Sequence, residues 1–467
     1  MSKLLKKPST EQPLNSPGKF ERFNLIENPF PSEPVVNKDS EDKRINGHIY
    51  EIEIRRKEFE QIINGFIKKP QSDPNHLRLG YIIDTSYVGR GNGKSAFLIN
   101  LLQKINIDYC LDLSDNSNKC FGIYVAPEPG GRTKTFPIFV DLLFQSILGS
   151  NVIKSSLATL RYEAISEAYP EHFSQLEALD EEVITNCLND QDWFKEKGID
   201  TKTISGIIFK NKYLQDLSPD FPIFKGKQSF FPKFVTQDDF KEHYTQNLKR
   251  SSERLTFVFT ELVRFFQAAH FNGAFILVDD FERIPDFQSA RQKRDFALEL
   301  RTCLFDGTYL NARIGFYNFL LVLHAGVPRL ISDAWAESGM ENRAPILPQT
   351  ISKHVIPFEK LSKDHALLLL KKYLAEYRKD DASGDPLFPF TEEAVAKIGE
   401  LAEHNASKIL KISYDLLDKA SDNANQTVID EKFLMDNKGG DDRIDKNVAS
   451  IEDAESTDLL KKARNKE

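Results

Sequence analysis

Cysteine is scarce in this chain and falls into no pattern. Of 467 residues only Cys110, Cys120, Cys187 and Cys303 are cysteines, with no C-x-x-C pair and no histidines at a matching spacing. That argues against a zinc site and for free thiols in a reducing, cytoplasmic compartment. Long hydrophobic runs are missing too. No apolar stretch reaches the ~18 residues of a membrane span, so no membrane association is expected. The opening MSKLLKKPSTEQPLNSPGKF has no apolar signal core and reads as a flexible tail. Positive charge is not in excess: the formal net charge is −8. This speaks against a globally basic nucleic-acid coat and leaves room only for a local basic face.

What is present is enough chain for two or three domains with a sizeable core. Apolar residues make up 40% and charged residues 28%, an ordinary balance for a soluble protein. Phenylalanine is abundant at 35, so aromatic-rich cores are expected.

Residues 1–20 are expected to be disordered. YEIEIRRKEFEQIINGFIKK, from Tyr50, reads as a helix with Ile54, Phe59, Ile62, Ile63 and Phe66 roughly on one face. Four apolar runs read as buried strands: LGYIIDTS (79–86), the start of CFGIYVAPEPGGRTKTF (120–136), GAFILVDDFERIPD (273–286) and FYNFLLVLHAGVPRL (316–330). KSAFLINLLQKI follows the first and PIFVDLLFQSIL (137–148) the second, both with helical periodicity. Such alternation implies an α/β fold, a parallel sheet flanked by helices on both faces.

Lys94 and Asp279 lie 185 residues apart. Two helices, a strand and loops would need about 60. Roughly 100 residues are therefore inserted within 151–250, and a large, mostly helical insertion is expected there. It is electrically split. Residues 151–200 carry 11 acidic and 4 basic side chains; residues 201–254 carry 10 basic and 6 acidic, with aromatics interleaved in FPIFKGKQSFFPKF. After HVIPFEKLS (354–362) helices are expected from caps at Ser362, Thr391 and Ser407. The expected organisation is a core over 21–361, a small C-terminal helical domain over 362–435, and a disordered charged tail over 436–467.

SYVGRGNGKSAFLINLL (86–102) joins the first strand to its helix. The phosphate-loop pattern G-x-x-x-x-G-K-[ST] ends here in Gly93-Lys94-Ser95, with Val88 where its first glycine belongs. Gly89, Gly91 and Gly93 alternate, so positive φ is accessible at several points and Gly89 is placed to take over the turn. Inward backbone N–H groups and a helix N-terminus hold a phosphate chain. The candidate nucleotide contacts are Gly89, Arg90, Gly91, Asn92, Gly93, Lys94, Ser95 and Ala96. Lys94 would reach the β/γ-phosphates and Ser95 a Mg2+ ion. In FILVDD four apolar residues bury a strand and leave Asp279 and Asp280 at its carboxyl end, where open parallel sheets bind ligands. Asp279 would hold the Mg2+ opposite Ser95, and Asp280 would polarise the attacking water. Aspartate is a methylene shorter than the glutamate many such ATPases use, and Glu282 replaces it only if the chain turns back toward the site.

These motifs resemble the AAA+ superfamily of P-loop ATPases, in the branch of origin-recognition-type initiators and the ATPases of transposition and phage-defence operons. Gly91-Asn92-Gly93-Lys94-Ser95 is similar to that branch's G-x-G-K-[ST]. Arg55-x-x-Glu58 resembles its R-x-x-E opening near the adenine, and FILVDD its Walker B strand. LLVLHAG sits where the sensor-1 strand belongs, so His324 is either the polar sensor or a half-buried histidine. ELAEHNASKILKISYDLL resembles the lid's G-N-P-R-x-[IL]-L signature, with His404, Ala406 and Ser407 in place of Gly, Pro and the sensor-2 Arg. Lys408, one place later, is a sensor-2 substitute or a solvated lysine. Arg343 and Arg329 are the candidates for an arginine offered to a neighbouring subunit. The resemblance covers about 45–150 and 255–435.

It implies a P-loop NTPase core with a lid, ATP and Mg2+ as cofactors, and a homo- or hetero-oligomer. It also implies an ATPase whose binding and slow hydrolysis drive conformational change or assembly on nucleic acid, in replication, transposition or defence. Arg132 and Lys134 in PGGRTKT (129–135) and the basic-aromatic stretch 225–234 are the candidate nucleic-acid contacts; their plain readings are a surface loop and a core rim. The alternative is a nucleotide-gated signalling or scaffold switch, with little hydrolysis and a protein partner on the acidic half of the insertion. A small-molecule P-loop kinase is a third reading, which the helical lid and long insertion oppose.

Overall fold

Strands buried on both faces of a parallel sheet are written as unbroken apolar runs, and four such runs become strands. A computed structural model describes residues 18–67, 76–85, 91–109, 119–224, 234–346, 352–379 and 384–437. In it β1 is Leu79–Asp84, β2 Cys120–Val125, β3 Gly273–Val278 and β4 Tyr317–Leu323, and β1, β3 and β4 bury every residue. A fifth strand, β5 (Val355–Phe358), lies where the sequence suggested only a passage toward the C-terminal helices. It is short and contains Pro357, which has no N–H to give a ladder. It sits at the sheet edge, pairing with β1 alone, as such a strand must.

The sheet is parallel throughout, in the order β2-β3-β4-β1-β5. The step from β1 to β2 runs one way across the sheet and the later steps run the other way. Right-handed crossovers then put the helix after β1 on one face and the later helices on the opposite face. Burial follows this rule. α1 (Arg56–Ile62) and α2 (Lys94–Lys104) bury Phe59, Ile62, Phe97 and Leu101 with Ile82, Leu277, Leu320 and Ile356. On the other face α3 (Phe136–Gly149) and the helices Ala290–Leu304 and Val327–Glu337 bury Phe139, Leu143, Phe296 and Trp335 with Tyr81, Ile276, Phe319 and Leu321. Connections therefore leave β1 and its neighbour β4 toward opposite faces, and a crevice opens at their carboxyl ends.

The abundant phenylalanines fill both faces. Phe59 and Phe97 have centroids 4.5 Å apart, and Phe136 meets Phe296 edge-on at 5.3 Å. Each such pair adds about 0.5–1.5 kcal/mol beyond its area burial. Trp335 Nε1 donates to the Tyr81 hydroxyl at 2.8 Å, and that hydroxyl donates to the Ala344 carbonyl at 2.8 Å. The helix expected from Tyr50 is broken into a 3-10 turn at Ile52–Arg55, then α1, then a π turn at Ile63–Ile67. Arg55 takes a buried place in the first turn, so the apolar face begins only at Phe59.

Between α3 and β3 the inserted residues are helical, from Val152–Ala168 to Gln237–Glu242. Ile165, Leu176, Leu188, Phe194 and Ile204 make a satellite core, with half-buried Trp193 against Phe194. Buried Arg161 ties it together, donating to the Leu188 carbonyl at 2.8 Å and to Asn189 Oδ1 at 2.9 Å. Residues 225–233 of the basic-aromatic stretch, Gly89 and Arg90 of the glycine loop, Cys110, and most of both expected tails lie outside the described residues. Among the described residues Cys120, Cys187 and Cys303 form no disulfide.

Residues 18–34, 362–404 and 408–437 belong to a second compact unit. Its helices include Lys363–Glu376, Glu392–Leu401 and most of Ala406–Asp422. Ser362 and Thr391 cap as their positions suggested, accepting from His365 N–H at 3.3 Å and Ala394 N–H at 3.2 Å. The third helix starts at Ala406, so Ser407 lies inside it and is not its cap. Residues 21–34, grouped with the core on sequence, pack here instead: Phe30 stacks on Tyr373 at 6.2 Å and meets Phe390 edge-on at 5.8 Å. Among the described residues no single helix is long and apolar enough to cross a membrane. The bent pair Phe136–Gly149 and Val152–Ala168 reaches that length only when both are counted.

Candidate functional site

Every strand runs in the same direction, so the residues just past their carboxyl ends share one edge. Asp84 closes β1 opposite Phe358, and Ile83 pairs with Leu323, one residue before His324. Val278 pairs with Val125 and Leu321, so Asp279 and Asp280 emerge on the same edge.

The glycine loop reaches this edge from β1. Gly91 and Gly93 have φ of +98° and +83°, conformations that only glycine adopts without strain. Gly93 ends the loop as the residue before α2, so the loop sits at a helix N-terminus. Gly91 also lacks room for a side chain. A Cβ there would stand 2.8 Å from Asn405 Oδ1 and from the Ser407 hydroxyl, and the Ser407 N–H donates to the Gly91 carbonyl at 3.0 Å. Ser407, the residue aligned with the sensor-2 arginine, thus touches the loop through its backbone.

Two contacts join loop and strand ends. Lys94 Nζ lies 2.7 Å from Asp84 Oδ2, with both side chains buried. The Ser95 hydroxyl is hydrogen-bonded to Asp279. Asp279 also accepts from the Tyr124 hydroxyl at 2.7 Å and from the Asp280 N–H at 3.0 Å. Burial raises the Asp279 carboxyl above its usual range, the neighbouring Asp280 charge adds to this, and the Ser95 and Tyr124 hydrogen bonds oppose it. No cation pairs with Asp279 among the described residues.

Asp280 adopts φ +44°, a left-handed turn that is uncommon for side chains other than asparagine, aspartate and histidine. The turn sends the chain into the 3-10 turn Phe281–Arg283 and pairs Asp280 Oδ2 with Arg283, which also donates to the Pro127 carbonyl at 3.0 Å. The same reversal brings Glu282 back to the edge. Glu282 is only 4% exposed, and His324 Nε2 lies 2.9 Å from its Oε1. The approach is close enough for an ion pair but is not aligned as a hydrogen bond: neither Glu282 oxygen has a hydrogen-bond partner.

Arg55 is buried beneath the loop. It pairs with Glu58 at 3.1 Å, donates to Asn92 Oδ1 at 3.2 Å and lies 3.7 Å over the Phe358 ring. Asn92 in turn donates to the Glu359 carbonyl at 3.1 Å. The R-x-x-E pair therefore braces the loop against the end of β5.

Other candidates stand apart. Lys408 belongs to the helical unit and pairs with Glu403 at 3.1 Å. Arg343 is exposed, and its charge adds to the burial that lowers the pKa of Arg78, which precedes β1 at the amino edge. Arg329 is exposed on the Val327–Glu337 helix. Arg132 and Lys134 are exposed on the loop after β2, with Arg132 3.2 Å from Glu128. Asp84 and Tyr124 were not singled out on sequence. Asp84 carried the signal that exposed Asp279, an acid closing an apolar strand. Tyr124 carried none, because its role depends on β2 lying beside β3.

Comparison with family models, curated proteins and solved structures returned no match for this chain. The site is therefore read from its own chemistry. A lysine, a hydroxyl, two glycine turns and the four carboxylates Asp84, Asp279, Asp280 and Glu282 meet on one sheet edge.

Proposed function

We propose that this chain binds Mg2+–ATP at the carboxyl edge of its sheet and hydrolyses it slowly, as an AAA+-type P-loop ATPase. The single observation that carries the reading is the double contact Lys94–Asp84 and Ser95–Asp279. The ammonium suited to phosphate and the hydroxyl suited to Mg2+ are held in reserve by acids at the strand ends. A hydroxyl and a carboxylate are hard oxygen donors of the kind Mg2+ takes, and among the described residues no cation pairs with buried Asp279, so the residues fit the ion. Bound Mg2+ would neutralise charge on the phosphate oxygens. Lys94 exchanges Asp84 for phosphate, and Arg55 and Asn92 keep the loop in shape.

The water-positioning role falls to Glu282 rather than Asp280, because Arg283 already holds the Asp280 carboxylate. His324 Nε2 stands 2.9 Å from Glu282 Oε1, within ion-pair range of that carboxylate. Exposed Arg132 and Lys134 on the same sheet edge are the side chains a nucleic-acid phosphate would meet.

Calorimetric titration of ATP with Mg2+ into wild-type and Lys94→Ala protein tests the core of this reading. Wild-type binding and a loss of about 100-fold or more in the variant are expected. Equal affinities sink it. Hydrolysis assayed with and without DNA then separates roles. Stimulation that fades with salt supports action on nucleic acid, and ATP-dependent oligomers indifferent to DNA support the switch.

A further inference from the structure

We infer that Asp280, Glu282 and His324 form a divalent-cation site of their own, beside the Ser95–Asp279 pair and separate from it. One ligand atom from each of the three lies within 4.8 Å of the others. Grouped acids alone would mean little, since exposed ones are common. Glu282 is the second, independent observation. It is 4% exposed, and both carboxylate oxygens lack a hydrogen-bond partner. An unsatisfied buried carboxylate costs several kcal/mol unless something neutralises it. His324 Nε2 sits 2.9 Å from Oε1 without hydrogen-bond alignment, so the two groups face a common point rather than each other. Ligands held about 2.1 Å from a metal and at right angles to one another stand about 3.0 Å apart. Asp280 supplies the third ligand. Arg283 takes its Oδ2 and leaves Oδ1 for the ion.

Two carboxylates and one imidazole select a borderline first-row cation, Mn2+ or Zn2+, over Mg2+ or Ca2+, which prefer all-oxygen sites. Three protein ligands leave coordination positions open, as in sites where a metal also holds water or substrate. Glu282 serves in both readings, as a ligand here and as the water-positioning carboxylate above, but the ion needs no nucleotide, so its binding is tested apart from ATP binding.

The test is a Mn2+ titration of the full chain without nucleotide, with free Mn2+ read by electron paramagnetic resonance, alongside the visible spectrum of the Co2+ form. One tightly held Mn2+ is expected, resisting tenfold excess Mg2+. Glu282→Gln and His324→Ala should each weaken it tenfold or more, and His324→Ala should change the Co2+ spectrum. Lys94→Ala and Ser95→Ala should leave it within twofold. Glu282→Gln keeps the side-chain shape and removes a buried charge, so a melting curve like the wild type's is expected to certify that variant as folded. No binding by the wild-type chain, or wild-type affinity in both ligand variants, overturns the proposal. Loss of the ion in Ser95→Ala also overturns it, by assigning the ion to the nucleotide site. ATP affinity in Lys94→Ala is read separately, so failure of this site and failure of the ATPase reading remain distinct.

Discussion

The two ends of the sheet both bury polar side chains, and they satisfy them in opposite ways. At the amino end the partners are backbone carbonyls and neighbouring amides. Asn318 Nδ2 donates to the Phe316 carbonyl at 3.1 Å while its Oδ1 meets His76 Nε2 at 2.7 Å. Asn311 Nδ2 donates to the Cys303 carbonyl at 2.9 Å and its Oδ1 accepts from the Tyr317 N–H. His354 Nδ1 lies 2.7 Å from the Leu79 carbonyl, and Arg78 donates to the carbonyls of Leu304 and Ala312. At the carboxyl end the groups are charged and, among the described residues, Glu282 has no hydrogen bond and Asp279 no cation. Apart from the Tyr317 hydroxyl, which is buried without a hydrogen-bond partner, the amino-end groups are satisfied, and such a network serves the fold. An edge that gathers four carboxylates beside a lysine and a glycine turn is arranged for something that arrives.

The largest expected effect tests whether the carboxyl edge is a site at all. Lys94→Ala should remove ATP binding and also lower stability by about 3 kcal/mol, because the buried Asp84 carboxylate loses the Lys94 ammonium. Adding Asp84→Asn should restore most of the stability, read by denaturant melts, and none of the binding. If the double variant regains ATP affinity, Lys94 is a structural lysine only.

At the other end Asn318→Ala should cost about 2–3 kcal/mol, since it strips partners from buried carbonyls and from His76. ATP affinity should stay within twofold by calorimetry. A parallel loss of affinity would erase the distinction between the two ends.

The smallest effects concern pH, and their signs differ. Burial lowers the His354 pKa, with the nearby Lys353 charge acting in the same direction and the hydrogen bond to Leu79 opposing it. A depressed folded-state value means that stability is present above the ordinary histidine range and lost as pH falls through it. His354→Gln should flatten that slope in thermal melts between pH 7 and pH 5. Asp279 is the reverse case, because its carboxyl is raised by burial. Its folded state favours the proton, so the stability it contributes is full below the ordinary aspartate range and lost as pH rises through the raised value. Asp279→Asn should therefore melt higher than wild type at pH 7, with the gap closing toward pH 4. A gap that widens on acidification would show that Asp279 is stabilised as a carboxylate.

Much of this layout was legible in the order of residues. Apolar runs ending in acids marked β1 and β3, and the alternating glycines marked the loop, because both signals are local. β5 was hidden by its shortness and by Pro357, which only an edge position tolerates. Burial of Arg55 shortened the expected apolar face to Phe59, Ile62, Ile63 and Phe66, since its guanidinium finds Glu58, Asn92 and the Phe358 ring, partners up to about 300 positions away. The return of Glu282 depended on one left-handed residue, Asp280, at a position where aspartate gives no such signal by itself. The company kept by residues 18–34 was invisible for a simpler reason. Phe23 and Phe30 are ordinary apolar residues, and nothing near them in sequence says which of two cores they enter.

The chain contains only two tryptophans, and they fall in different places. Trp335 is sealed in the sheet layer against Tyr81, while Trp193 sits half-covered in the inserted helices. Intrinsic fluorescence therefore carries two separable signals. Replacing Trp193 with phenylalanine would leave a reporter whose red shift marks opening of the sheet layer alone, and replacing Trp335 would leave one for the insertion. With that pair of variants an optical titration could follow whether ligand loading at the strand tips stiffens the distant helices or leaves them untouched.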